Sequence, residues 1–294
     1  MSRLAGVRKL ALGTVQLGLN YGVNNAIGRQ PTEKEAHAVL SSAVAAGIEV
    51  FDTAAAYGNA EKVLGSYALP SKNVRIISKL MPDTEDSVDA VIAQIRESLD
   101  RLGAKSLYGY MLHRASDMER PNIMRGLAAA KEMGLTEKSG VSIYEPDEAL
   151  QAVSMGIDMV QIPYNALDFR LDESGFFTQA KNNRVEVYAR SAFLQGLLLM
   201  NPDDAEMRVK GSGALIAEFQ KIVADYGFSP LEGAMLYSLS HLGIDYVVFG
   251  VDTVAQLQEN IKIAAKLRGF AACYEKLYGA FKNVPRKIIV PSLW

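Results

Sequence analysis

Three short apolar runs in this chain end on an ionisable side chain: Phe51-Asp52-Thr53, Ile77-Ser78-Lys79 and Met111-Leu112-His113. Charges delivered at the ends of buried segments must be paired to be tolerated, and Asp52 with Lys79 supplies a pair. Tyr57 follows in Asp52-Thr53-Ala54-Ala55-Ala56-Tyr57-Gly58, on a loop of small residues that leaves room for a ligand. Gathered in one place, groups of these types are what proton transfer requires. The simpler alternative is that each charge marks where a strand emerges into solvent and that Tyr57 packs its own loop. It explains one such residue more easily than three in succession.

The elements that must position these residues alternate. Short apolar, β-branched runs occur at Lys9 to Gly13, Ile48 to Phe51, Val74 to Ile77, Leu107 to Leu112, Ser139 to Val141, Met159 to Ile162, Val185 to Ala189 and Tyr246 to Phe249. Helix-like stretches separate them. Thr32 stands before Glu33 and Glu35, with Ala36, Val39, Leu40 and Ala43 at helical spacing and Gly47 as the stop. Val88 to Leu102 ends at Gly103, Ile123 to Met133 at Gly134, and Asp147 to Met155 follows Pro146 and ends at Gly156. Eight strand candidates alternating with helices predict a single-domain (β/α)8 barrel over residues 1–294, in which catalytic groups gather at the C-terminal ends of the strands. Between the seventh and eighth strands a long stretch, Asn201 to Gly243, predicts an extended loop with helices at Leu215 to Tyr226 and Pro230 to Leu242 and a flexible point at Gly211-Ser212-Gly213. Helices at Val254 to Arg268 and Phe270 to Phe281, the latter an extra C-terminal one, precede the apolar tail Ile288 to Trp294.

Composition narrows the function classes. The 294 residues are 49% hydrophobic and 22% charged, with a formal net charge of -2 and no long run of one sign. No electrostatic footprint for nucleic acid or anionic lipid is visible, so a small-molecule partner is expected. The single cysteine, Cys273, and the lack of paired Cys/His clusters predict neither a disulfide nor a metal site. Neither a signal-peptide-like apolar stretch behind the basic start Met1 to Lys9 nor a membrane-length apolar run occurs, and Leu197 to Met200 is too short to anchor in a bilayer, so a cytoplasmic location is expected. His37 and His241, away from strand ends, read as structural.

The segment Asp52-Thr53-Ala54-x-x-Tyr57-Gly58, with Lys79 and His113, resembles the catalytic tetrad of the aldo-keto reductase family. Supporting segments fall at later strand ends: Gly140-Val141-Ser142, Gln161 with Tyr164-Asn165, Gln195-Gly196-Leu197-Leu198 and Gln256-Leu257-x-Glu259-Asn260. The resemblance implies hydride transfer between a nicotinamide, NADP(H) or NAD(H), and a small carbonyl substrate, reducing an aldehyde or ketone to an alcohol or the reverse. It makes Tyr57 the proton donor, eased by the Lys79 ammonium, with Asp52 holding Lys79 and His113 aiming the carbonyl. No Gly-x-Gly-x-x-Gly follows a strand, so the dinucleotide is not held in the Rossmann manner. By the resemblance it lies across the barrel mouth, near Asp52 and Gly13-Thr14, with Ser142 and Gln161 at the carboxamide and Ser191, Phe193 and Gly196 at the pyrophosphate. Gly250, Asp252, Gln256, Glu259 and Asn260 lie toward the adenosine.

Three positions depart from the family's pattern. Ile143 stands where asparagine is usual, and Arg190 stands where an aromatic usually stacks on the nicotinamide, leaving stacking or an outward salt bridge open. Asp252 occupies a turn that often carries cations for a 2′-phosphate. Arg208 or Lys210 on the long loop are the other candidates for that charge, so the choice of nicotinamide stays open. Substrate identity is assigned to Gln16 to Arg29, Arg114 to Arg120, Phe169 to Gly175 and the C-terminal tail, with Tyr21, Arg114 and Trp294 as candidates and a sugar-derived or other polar carbonyl preferred. Two rival functions are a non-turnover regulatory protein on the same fold and a Schiff-base aldolase using Lys79. Oligomeric state is not readable.

Overall fold

The computed structural model describes residues 6–21 and 27–294. Most of the sequence's alternation is realised as eight parallel strands: β1 Leu10–Gly13, β2 Val50–Asp52, β3 Arg75–Lys79, β4 Leu107–Leu112, β5 Thr136–Ser142, β6 Met159–Pro163, β7 Glu186–Arg190 and β8 Tyr246–Gly250. Each pairs with the next, and β8 closes onto β1 with Gly13 opposite Gly250. β5 begins at Thr136, earlier than its apolar run, because its first half carries polar side chains.

Helices between the strands start and stop where side chains can satisfy their free backbone groups. Thr32 and Glu35 form a reciprocal capping box on Glu33–Ala45, and Ser229 with Glu232 does the same for Pro230–Ser240. Gly103 ends Val88–Leu102 in the left-handed region at φ 64°. After β8, Val254–Ala264 is shorter than its apolar pattern, since Lys266 N–H bonds back to Ile263 O and tightens the last turn.

The long β7 to β8 connection corrects two expectations. It contains a further helix, Pro202–Arg208, before Gly213–Asp225 and Pro230–Ser240. The Gly211-Ser212-Gly213 segment is a fastened corner and not a flexible point: Ser212 is buried and donates to Ala205 O, while the Gly211 and Gly213 N–H groups both donate to the Glu206 carboxylate. The tail is also anchored, with Ile288, Ile289 and Val290 buried.

Two apolar regions carry the packing. One lies between strands and helices; the other fills the barrel with Ala11, Val50, Ile77, Met111, Met159 and Tyr188. Side chains alternate along a strand, so the residue two positions on from each of these faces the same way. Those residues are Gly13, Asp52, Lys79, His113, Gln161 and Arg190. A single layer of the barrel therefore turns from apolar to polar at its C-terminal mouth.

Candidate active site

Asp52, the last residue of β2, and Lys79, the last of β3, are almost fully buried, and the Lys79 Nζ donates to both Asp52 carboxylate oxygens at 2.7 and 2.6 Å. It also donates to Thr53 O at 3.0 Å and reaches the Tyr57 hydroxyl at 3.5 Å. Gln161 Nε2 donates to Asp52 Oδ1 at 2.8 Å, and Thr14 fastens the Asp52 carbonyl through its N–H and its hydroxyl. The sequence-expected tetrad is thus gathered at one mouth, with the Tyr57 and His113 rings edge to face at 5.9 Å.

Electrostatics refine the expected acid. Burial pushes the Tyr57 hydroxyl above the ordinary tyrosine value; Lys79 pulls it down but does not outweigh burial. Burial likewise pulls the Lys79 ammonium down, yet Asp52 and Tyr57 together hold it above the usual lysine value. His113 is lowered to about 4 by burial and then by Lys79, Arg190 and Arg114, so it stands as a neutral imidazole. Its Nδ1 is buried with no hydrogen-bond partner among the described residues.

Other sequence-predicted positions surround this mouth. Ser142, the last residue of β5, sits opposite Gln161 in the middle of β6. Arg190, half-buried, donates through Nε to Ser142 Oγ at 3.3 Å, through Nη1 to Ser191 Oγ at 3.3 Å and through Nη2 to Ile143 O at 2.9 Å, and it stacks 4.2 Å over the Tyr144 ring. It forms no outward salt bridge among the described residues. The Ser191 to Gly196 loop is backbone-strained, with Ser191, Leu194 and Gln195 at φ of 62°, 47° and 54°, and Asn165 Nδ2 braces it at Ser191 O. Phe193 is half-buried in that loop.

In the turn after β8 Gln256 serves the backbone, because its Oε1 accepts from the Asp252 and Thr253 N–H groups and caps Val254–Ala264. Asp252 and Asn260 are buried, whereas Glu259, Arg208 and Lys210 are exposed. A Cβ at Gly250 would lie 2.2 Å from the Gln16 amide, so glycine there lets the Gln16 side chain rest against the end of β8. Of the substrate candidates, Tyr21 is 39% exposed, Arg114 pairs with Asp83 at 2.6 Å and Trp294 donates to Ile288 O. Part of the Gln16 to Arg29 loop, residues 22–26, lies outside the described residues. His37 and His241 are held in structural contacts with Ser66 and with Tyr164 and Phe177.

Three further site residues escape a reading of the sequence. Glu61 is buried and takes hydrogen bonds from Ser78 at 2.5 Å and Arg101 at 2.7 Å, tying the helix after the Tyr57 loop to β3 beside Lys79. Gln16 holds a buried Oε1 with no partner among the described residues. Tyr144, the platform under Arg190, is signalled only by its place two residues after Ser142. A dinucleotide fits the residues present. Gln16 and His113 hold unsatisfied buried atoms at the ends of β1, β8 and β4, and Ser142 keeps its hydroxyl proton.

Known proteins resemble this chain in sequence and in fold. The model of the aldo/keto reductase family matches residues 9–268. An aldo-keto reductase of Mycobacterium sp. (strain JLS) is 32% identical over 146 residues, 46% of this chain and 52% of that protein; the chain thus spans about half the length of the first curated relatives it matches. The uncharacterized oxidoreductase YqkF of Bacillus subtilis (strain 168) is 24% identical over 284 residues, covering 88% of this chain and 91% of its own. The crystal structure of PA4992 from Pseudomonas aeruginosa superposes with a TM-score of 0.68 at 22% identity, over 88% of this chain and 90% of that one, a likeness of fold. Among the described residues no helix is long and apolar enough to cross a membrane.

Proposed function

This chain belongs to the aldo/keto reductase family, and from that premise we propose that it is an oxidoreductase interconverting a carbonyl and an alcohol with NADP(H) or NAD(H). The observation that carries the reading is the Lys79 ammonium placed between the Asp52 carboxylate and the Tyr57 hydroxyl beside a neutral, unpaired His113. The nicotinamide, when bound, supplies the hydride. Gly13, Thr14, Ser142, Gln161 and the strained Ser191 to Gly196 loop would hold its reactive half, and Asp252, Gln256, Glu259 and Asn260 its adenosine half.

This chain's own part is proton transfer and alignment. Tyr57, kept protonated by burial, donates its hydroxyl proton to the carbonyl oxygen. The phenolate left behind faces Lys79, whose charge Asp52 preserves and Gln161 helps fix through that carboxylate. The neutral His113 donates an N–H toward the same oxygen and shares its developing charge. A Schiff-base role for Lys79 is disfavoured, because a nucleophilic amine must lose its proton and Asp52 holds that proton in place.

The test is turnover. Purified protein with NADPH or NADH should lose nicotinamide absorbance on addition of a reactive aldehyde, and Tyr57→Phe should abolish that loss. Tight nicotinamide binding with no turnover across aldehydes, ketones and alcohols would favour a regulatory protein on this fold.

A further inference from the structure

We infer that Arg190 anchors a carboxylate carried by the carbonyl substrate, so that the enzyme's substrates are acidic aldehydes or ketones. This rests on the reading of the site as a carbonyl reductase and adds the substrate class to it.

Charge at the mouth carries the argument. Asp52 is matched by Lys79, Asp168 by Arg170 at 2.8 Å, and Arg114 by Asp83 at 2.6 Å. Arg190 is left with neutral acceptors only: two serine hydroxyls and one carbonyl oxygen. Those bonds orient the guanidinium without neutralising it, and they use three of its five N–H groups, leaving one each on Nη1 and Nη2. Asp168 feels that charge but is already bound by Arg170 at 2.8 Å, so no carboxylate pairs with Arg190 among the described residues, and a half-buried cation so placed is costly unless something supplies a partner.

Position makes a substrate the supplier. Arg190 is the last residue of β7, and its bonds to Ser142 and Ile143 O reach past β6 to the end of β5, along the rim of the mouth. Tyr188, two residues before it, fills the barrel interior, so Arg190 faces the same way, in the polar layer that holds Asp52, Lys79 and His113. The Tyr144 platform and the two serines pre-set the guanidinium plane, which cuts the entropy lost on binding an anion. A carboxylate can take both free N–H groups while its carbonyl lies at Tyr57. A neutral sugar-derived carbonyl would leave that charge unanswered, and Arg114, the cation favoured by sequence, is already paired with Asp83.

The experiment compares 4-formylbenzoate with its methyl ester, which has similar shape and no charge; the ester's somewhat more electrophilic aldehyde is a constant that cancels when the acid-to-ester ratio is compared between parent and variant. With saturating reduced nicotinamide, the parent should prefer the acid, and Arg190→Met should lower the acid-to-ester ratio of kcat/KM by roughly 10- to 100-fold. Arg190→Lys, which keeps the charge and loses the fork, should fall between them and decides the matter if the methionine variant does not fold. An acid-to-ester ratio that neither substitution changes overturns the inference and leaves the carbonyl reductase reading intact. So does a loss of nicotinamide affinity, measured by fluorescence titration, with the ratio unchanged: Arg190 would then serve the cofactor. If neither aldehyde is reduced although nicotinamide binds, the reductase reading fails, and calorimetry with terephthalate judges the anchor separately. Binding by the parent that Arg190→Met abolishes supports it; no binding by the parent overturns it.

Discussion

Four acceptor atoms surround the three protons of the Lys79 ammonium: both Asp52 oxygens, Thr53 O and, at the longest distance, the Tyr57 hydroxyl. The Tyr57 contact is therefore the weakest of the set, and burial governs that hydroxyl until a substrate oxygen arrives. Tyr57→Phe keeps the ring and removes the donor, so kcat should fall by about 10²- to 10⁴-fold with nicotinamide affinity retained, checked by steady-state kinetics and fluorescence titration. Lys79→Met leaves Asp52 buried without its cation and should cost roughly 3–5 kcal/mol of stability in urea melts as well as turnover. His113, lowered to about 4, stays neutral throughout the mildly acidic range. The acid limb of kcat/KM should therefore fall near that value; a limb centred on the free histidine value of about 6.5 would show an imidazole open to water.

At the scale of elements, the Tyr57 loop depends on the helix that follows it. Glu61, near the start of Ala60–Ser66, is 2% exposed and joins Ser78 on β3 to Arg101 on Val88–Leu102. Removing its charge loosens the helix from β3 and lets Tyr57 drift from Lys79. Glu61→Gln should cost about 1–3 kcal/mol and lower kcat more than it changes KM, measured by denaturation and steady-state kinetics. Parent stability and parent turnover in that variant would show that the loop holds Tyr57 unaided. None of this is visible in the sequence, because a buried carboxylate bonding to a distant strand and helix has no local signature. The strands, Asp52, Lys79 and His113 are legible for the opposite reason: apolar runs ending in charges are local patterns, and closing the barrel brings their ends together. Gly211-Ser212-Gly213 misleads because glycine signals freedom, while the Glu206 carboxylate that fastens it is recruited only by the folded corner.

Across the whole molecule, the two ends of the barrel carry different burdens. The C-terminal mouth holds the Asp52, Tyr57, Lys79 and His113 cluster and Arg190, which has no salt-bridge partner among the described residues. The opposite end is closed by a fully engaged polar network: Glu186 at the start of β7 accepts from Tyr108 at 2.6 Å, Lys138 at 2.5 Å and Tyr188 at 2.8 Å, while Arg75 donates to Tyr246 and Tyr188 stacks on Tyr246. In barrels of this kind, features at that end serve stability. Burial pushes the Glu186 carboxyl up, but Lys138, Tyr108 and Tyr188 outweigh it and hold it below the ordinary glutamate value. A depressed carboxyl lends stability that is present above its unfolded pKa and lost as pH falls through its folded pKa, since the unfolded chain then binds the extra proton. Glu186→Gln removes that linkage. In urea melts at about pH 6 and about pH 3.5, the parent should lose more stability on acidification than the variant, which should start lower at the higher pH. The acid-to-ester preference set by Arg190 should be the same in both proteins, because the network lies at the far end of the barrel. Equal acid sensitivity in the two would mean that Glu186 is already protonated in its network, and a shifted substrate preference would mean that the two ends of the barrel are mechanically coupled.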